Sequence, residues 1–129
     1  MKYYGRDEKG FGMKPKNYYG LAFDKDMKKD KRQKKWKKQR KARGFDDTEL
    51  WNLENTIAKF ILPRLQRFKS VSSTYPGGMT PEEWDAKLDK MITAFSLIYD
   101  DNYSIDADRE AEIEEGLKLF GKYFRALWW

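Results

Sequence analysis

Carboxylates and cations are the side chains of this chain with chemistry to offer, because its 129 residues contain neither histidine nor cysteine. That absence removes imidazole as general base, thiolate as nucleophile, and the commonest zinc ligands. For acid and base work there remain Glu49, Glu54, Asp85 and Asp89. Asp85 and Asp89 stand one helical turn apart, but Lys87 and Lys90 beside them make a solvated, charge-paired surface the simpler reading. The acidic run DDNYSIDADREAE at 100–112 invites comparison with a calcium loop, since Asp100, Asn102, Ser104, Asp106 and Asp108 fall at positions 1, 3, 5, 7 and 9. Position 6, where such a loop needs glycine, is Ile105; position 12 is Ala111, with Glu112 one residue late. An acidic helix start that complements the helix dipole fits better. No phosphate-binding glycine loop, nucleophile elbow or zinc-protease motif occurs. The expectation is a protein that is not an enzyme and carries no cofactor and no metal.

Binding chemistry is concentrated in KKDKRQKKWKKQRKARG, residues 28–44, where eleven of the first sixteen residues are Lys or Arg. Cations at this density neutralise phosphates and gain from counterion release, largely without regard to base sequence. Lys31, Arg32, Lys34, Lys35, Lys37, Lys38, Arg40, Lys41 and Arg43 are the candidate phosphate contacts, with Trp36 as the candidate stacking residue for an unpaired base. Lysine dominates and no side is reserved for Asn, Gln or Arg at base edges. RNA or a ribonucleoprotein is therefore favoured over sequence-specific DNA reading. A membrane partner is disfavoured, because the run has no apolar face to enter lipid.

The charge is bipolar. Residues 1–44 hold 17 Lys or Arg against 5 Asp or Glu, a net +12, while residues 45–129 hold 10 against 16, a net −6. Such asymmetry suits an arm that meets an anionic surface, and equally one that docks on the acidic body of another copy or on an acidic host protein. No signal peptide and no apolar run of membrane-spanning length is present, so the expected location is cytoplasmic.

These residues need elements to position them. Residues 1–23, with KYYG and NYYG among Gly and Lys, suggest an irregular aromatic arm. Residues 24–44 suggest a basic helix that Gly44 stops; with few apolar residues beyond Met27 and Trp36, it belongs in solvent or on a partner. Residues 45–129 suggest an acidic helical domain. Asp46 and Glu49 form a capping box, stapled by Phe45 and Leu50, ahead of an apolar face of Leu50, Leu53, Ile57, Phe60, Ile61, Leu65 and Phe68. Pro63 predicts a kink or a break near Phe60 to Leu62. Thr80, Pro81 and Glu83 open a second helix carrying Trp84, Leu88, Met91, Ile92, Phe95, Ile98 and Tyr99. A third runs from about Ala107, with Ile113, Leu117, Phe120, Phe124, Leu127 and Trp128 on one face. The expected fold is all-α, a three-helix antiparallel bundle preceded by the aromatic arm and the basic helix. Trp128 and Trp129 should close that bundle; if exposed, they are a possible partner anchor.

The strings LWNLENTIAKFILPRLQRFK, YPGG, EEWDAKLDKMITAF and GLKLFGKYFRALWW resemble small helical proteins encoded by tailed bacteriophages and prophages, over about residues 45–129. The resemblance implies a phage accessory protein in a bacterial host cell and brings no catalytic residues. Two functions are consistent with these features. One is a binding protein whose basic arm engages nucleic acid or a nucleic-acid machine, for example as an inhibitor of a host defence ribonucleoprotein. The other is a structural protein whose basic arm docks on another copy, making a homo-oligomer, or on an acidic host protein.

Overall fold

A computed structural model describes residues 29–99 and 106–129. The expected aromatic arm, residues 24–28 of the expected basic helix and the calcium-loop positions 100–105 lie outside the described residues, while residues 29–32, expected in that helix, form a turn ahead of it. Among the described residues the chain is helical, without strands: α1 Gln33–Arg43, a 3-10 turn Asp47–Leu50, α2 Leu53–Val71, α3 Pro81–Tyr99, α4 Ala107–Lys122 and a closing 3-10 turn Phe124–Ala126. No helix among these residues is long and apolar enough to cross a membrane. The chain forms two compact units, divided between Thr56 and Ile57.

In the described part of the first unit, α1 ends as its sequence dictates. Gly44 adopts φ 88°, and its N–H donates to the Arg40 carbonyl at 2.8 Å, the left-handed stop for which glycine is suited. Asp46 then caps the 3-10 turn: its side chain accepts from Thr48 N at 2.9 Å, and its own N–H donates to Glu49 Oε2 at 2.8 Å. The capping box is present, but it opens one 3-10 turn rather than a long helix. The Trp51–Asn52 turn intervenes, and α2 starts at Leu53. The expected apolar face fails at this end, where Leu50, Leu53 and Ile57 are exposed.

In the second unit, Ala58 and Leu65 of α2 form a buried cluster with Trp84, Leu88, Met91 and Phe95 of α3. Leu119 and Phe120 of α4 and Tyr123, Ala126 and Leu127 beyond it pack against this cluster. α2 runs through Pro63 without a break. Nearby, Arg64 Nη1 donates to the Phe60 carbonyl at 2.7 Å with its guanidinium 4.0 Å from the Phe60 ring centroid. The start of α3 is as expected: Glu83 N donates to Thr80 Oγ1 at 3.1 Å, and Thr80 N donates to Glu83 Oε2 at 3.3 Å. α3 and α4 meet at Gly116, where an added Cβ would overlap Ala94 Cβ and the Lys90 carbonyl oxygen. Two small residues set that crossing, and Lys90 pairs with Glu115 beside it. Asp106 caps α4 by accepting from Asp108 N at 2.9 Å, the acidic helix start that its sequence suggests.

The C-terminal segment departs from expectation. α4 ends at Lys122, and Tyr123 turns edge-on to Trp84, with ring centroids 5.6 Å apart. The 3-10 turn that follows breaks the helical phase; Phe124 is exposed but keeps an edge-to-face contact with Phe120 at 5.3 Å. Trp128 and Trp129 do not close the bundle; they are 65% and 56% exposed. The Trp128 carbonyl accepts from Thr74 Oγ1 at 3.0 Å, which holds the backbone there while the ring stays in solvent.

Candidate nucleic-acid interface

α1 sorts its cations by type. Helical spacing places Arg32, Trp36, Gln39, Arg40 and Arg43 on one side, and Lys31, Lys34, Lys35, Lys37, Lys38 and Lys41 around the other. The two sets behave differently. Guanidinium groups offer a rigid planar fork for carboxylates and stack on aromatic rings, whereas an ammonium is a compact, strongly hydrated charge.

Trp36 is 3% exposed and Arg40 8% exposed, so the helix is not polar all round. Arg40 Nη1 bonds Asp46 Oδ2 at 2.5 Å in an ion pair buried at both ends, leaving Arg40 Nε buried without a partner. Asp46 also accepts from the Thr48 hydroxyl at 2.5 Å. One turn on, Arg43 Nη2 meets Asp47 Oδ1 at 2.6 Å and Arg43 Nε donates to the Phe45 carbonyl at 3.1 Å. Gln39 works both ways, with Nε2 donating to Asp47 Oδ2 at 2.8 Å and Oε1 accepting from Asp47 N at 2.9 Å. Before the helix, Asp30 binds Arg32 through side chain and backbone, with the guanidinium 2.9 Å from Asp30 Oδ2. The Arg32 guanidinium lies 4.9 Å from the Trp36 ring centroid and 5.4 Å from that of Trp51; the two indoles meet edge to face at 5.6 Å.

These contacts set the titration of the acids. The Arg32 side-chain hydrogen bond, followed by its backbone bond, holds Asp30 at about 2. Asp47 is lowered by its bonds from Gln39 and then Arg43, with a smaller contribution from the charge of Lys35. Glu49 is pushed the other way, because burial outweighs its bond from Asp46 N–H. In return, Asp30 raises Arg32.

The expected site residues thus divide. Arg40 and Trp36 are built into the fold, and neither reaches solvent far enough to meet a phosphate or a base as assigned. Arg32 and Arg43 are exposed but each is engaged by an aspartate. Lys31, Lys34, Lys35, Lys37, Lys38 and Lys41 are exposed, and none joins an ion pair among the described residues. Sequence reasoning missed Asp30, Asp47 and Trp51 as residues that hold α1 in place, and saw Asp46 as a cap but not as the partner of Arg40. One signal for them was present: Arg32, Trp36, Arg40 and Arg43 recur at steps of four, four and three, the period of one helix face.

Among the described residues no group of three or more acidic side chains is arranged to hold a metal ion. No family model matches the chain, and no curated protein or solved structure is similar to it.

Proposed function

We propose that this protein is a non-enzymatic binding module whose α1 lysines grip the phosphate backbone of nucleic acid, free or within a ribonucleoprotein. The observation that carries the reading is the set of six exposed lysines, on α1 and just before it, that join no ion pair among the described residues, while arginines anchor the helix's other side. An uncommitted cationic face gains from counterion release when it meets phosphates, and anchoring lowers the ordering cost of that encounter. Shape and charge, rather than base edges, are what such a face reads, which favours RNA over a specific DNA sequence. We read the second unit as a three-helix antiparallel bundle. The phage resemblance of residues 45–129 adds a setting, the cytoplasm of a bacterial host, where a defence ribonucleoprotein is a target of suitable chemistry.

The test is a salt series. Binding of a labelled RNA to the full chain should weaken steeply with salt, and replacing Lys34, Lys37, Lys38 and Lys41 by Gln should abolish it while circular dichroism stays unchanged. Each lost phosphate contact lowers the salt slope by about 0.7–0.9. Undiminished affinity in the folded variant would refute the assignment.

A second reading rests on the acidic surface of α4, where Glu110, Glu112, Glu114 and Glu115 are all exposed. There the lysine face docks on the second unit of another copy. Light scattering on nuclease-treated protein separates the two, since this reading requires an oligomer without nucleic acid.

A further inference from the structure

The lysine face explains a grip on phosphates but offers nothing to a base, and Trp36, the residue whose place in the basic run suggested stacking, is enclosed. Its neighbour is not. Trp51 is 59% exposed, although it lies edge to face with a buried indole and beneath a guanidinium. A single exposed tryptophan is ordinary, but one held in place by a neighbouring ring and cation is pre-ordered for a planar ligand. Arg32 beside it is also exposed and presents a second flat, cationic surface. Lys31 precedes Arg32 in the chain, and Lys35 flanks it on α1, close enough to Asp47 to lower that carboxyl. Arg32, at the start of α1 and over the Trp51 ring, therefore brings the stacking surface beside two exposed lysines.

We propose that Trp51, with Arg32, is a stacking shelf for an unpaired base, and that the ligand of the first unit is accordingly a single-stranded stretch of nucleic acid rather than a continuous duplex. The proposal rests on the phosphate-binding reading of the lysine face and adds to it the class of strand. In a duplex each base is sandwiched by its neighbours and has no face to give. An unpaired base has two, and both aromatic rings and guanidinium planes receive them without regard to base identity. The indole keeps the base against the protein, while Lys31 and Lys35 take up the flanking phosphates. Trp36 acts through Trp51, as the wall that fixes the shelf.

The full chain is titrated against a fluorescein-labelled 12-nucleotide single-stranded RNA of mixed sequence, and against the blunt duplex made from it. The wild type should prefer the single strand. Trp51→Ala should weaken that binding about tenfold or more, the loss of one stacked base, with duplex binding unchanged, and Trp51→Phe should recover most of it. Equal weakening for both ligands, or none for either, overturns the shelf but leaves the phosphate grip standing. A wild type that binds the duplex as well as the strand overturns it too. A wild type that binds neither removes the phosphate reading and the shelf with it. Because Trp51→Ala could loosen the packing on Trp36, crosslinking of a 4-thiouridine strand to the unmutated protein is the independent check: the adduct should map to Trp51, and one confined to the lysines would sink the proposal.

Discussion

Replacing Arg40 by Leu should release α1 from the turn that holds it. The ion pair with Asp46 is buried at both ends, and removing one partner of such a pair costs about 3–5 kcal/mol because the other charge is left unpaired. Three features place the cost at the lower end here. Arg40 makes one bond to Asp46, not two, its Nε is already buried without a partner, and Thr48 donates twice to the carboxylate that would be stranded. The expected loss is ~3 kcal/mol. Asp46→Asn alone keeps a cap but costs ~1–2 kcal/mol, since the guanidinium is now the stranded charge. In the double variant neither charge remains, and the total should be ~2 kcal/mol, well below the sum of the single changes. Hydrogen exchange at the Gly44 amide, which bonds the Arg40 carbonyl, reads the opening of this element apart from that of the second unit. Additive single and double variants, or an Arg40→Leu protein with undiminished protection at Gly44, would refute the claim that this pair anchors the helix.

The crossing of α3 and α4 gives a sharper steric test: Gly116→Ala should destabilise the second unit by ~1–3 kcal/mol, because the new methyl meets Ala94 Cβ and a backbone carbonyl that cannot move alone. A denaturation midpoint equal to that of the wild type would show that the helices separate freely there. Acid should loosen the first unit in a defined window. Asp30 and Asp47 titrate below their ordinary values when folded, so their stabilisation is complete above about pH 4 and is lost as pH falls through the lowered values, near 2 for Asp30. Glu49, raised by burial, has the opposite sign and favours the fold most when protonated. A carboxyl resonance of Asp30 with its midpoint at the unperturbed value of 3.8 would contradict the contact with Arg32.

Much of the helical layout was written in local pattern. Thr80, Pro81 and Glu83 specify one helix start without help from distant residues, and steps of four, three and four from Trp84 through Leu88 and Met91 to Phe95 specify a buried face. Gly44 stops α1 because no other residue takes a left-handed stop so cheaply. The box at Asp46 shows where local pattern runs out: a cap fixes how a helix begins, not how many turns follow. Whether it continues depends on packing, and Leu50 and Leu53 find none. Pro63 failed as a breaker for the converse reason, since packing of α2 on either side of it outweighs one missing hydrogen bond. The C-terminal tryptophans were placed by extending a helical phase past Lys122, where the chain changes pitch. In the basic run the pattern was legible but was read with Lys and Arg as one class; separating them by chemistry recovers the inner face at once.

That separation has a consequence for how α1 can change. The anchoring contacts and the exposed lysines sit on different sides of one short helix, so the two sets can drift independently. The outer positions can exchange lysine for arginine, or lose charge one at a time, without breaking the ion pairs that hold the helix. The inner positions have no such latitude, because a lysine at Arg40 or Arg43 would lack the planar fork that reaches the aspartates. The helix is a fixed mount with an interchangeable surface, and that surface can be redesigned without renegotiating its architecture.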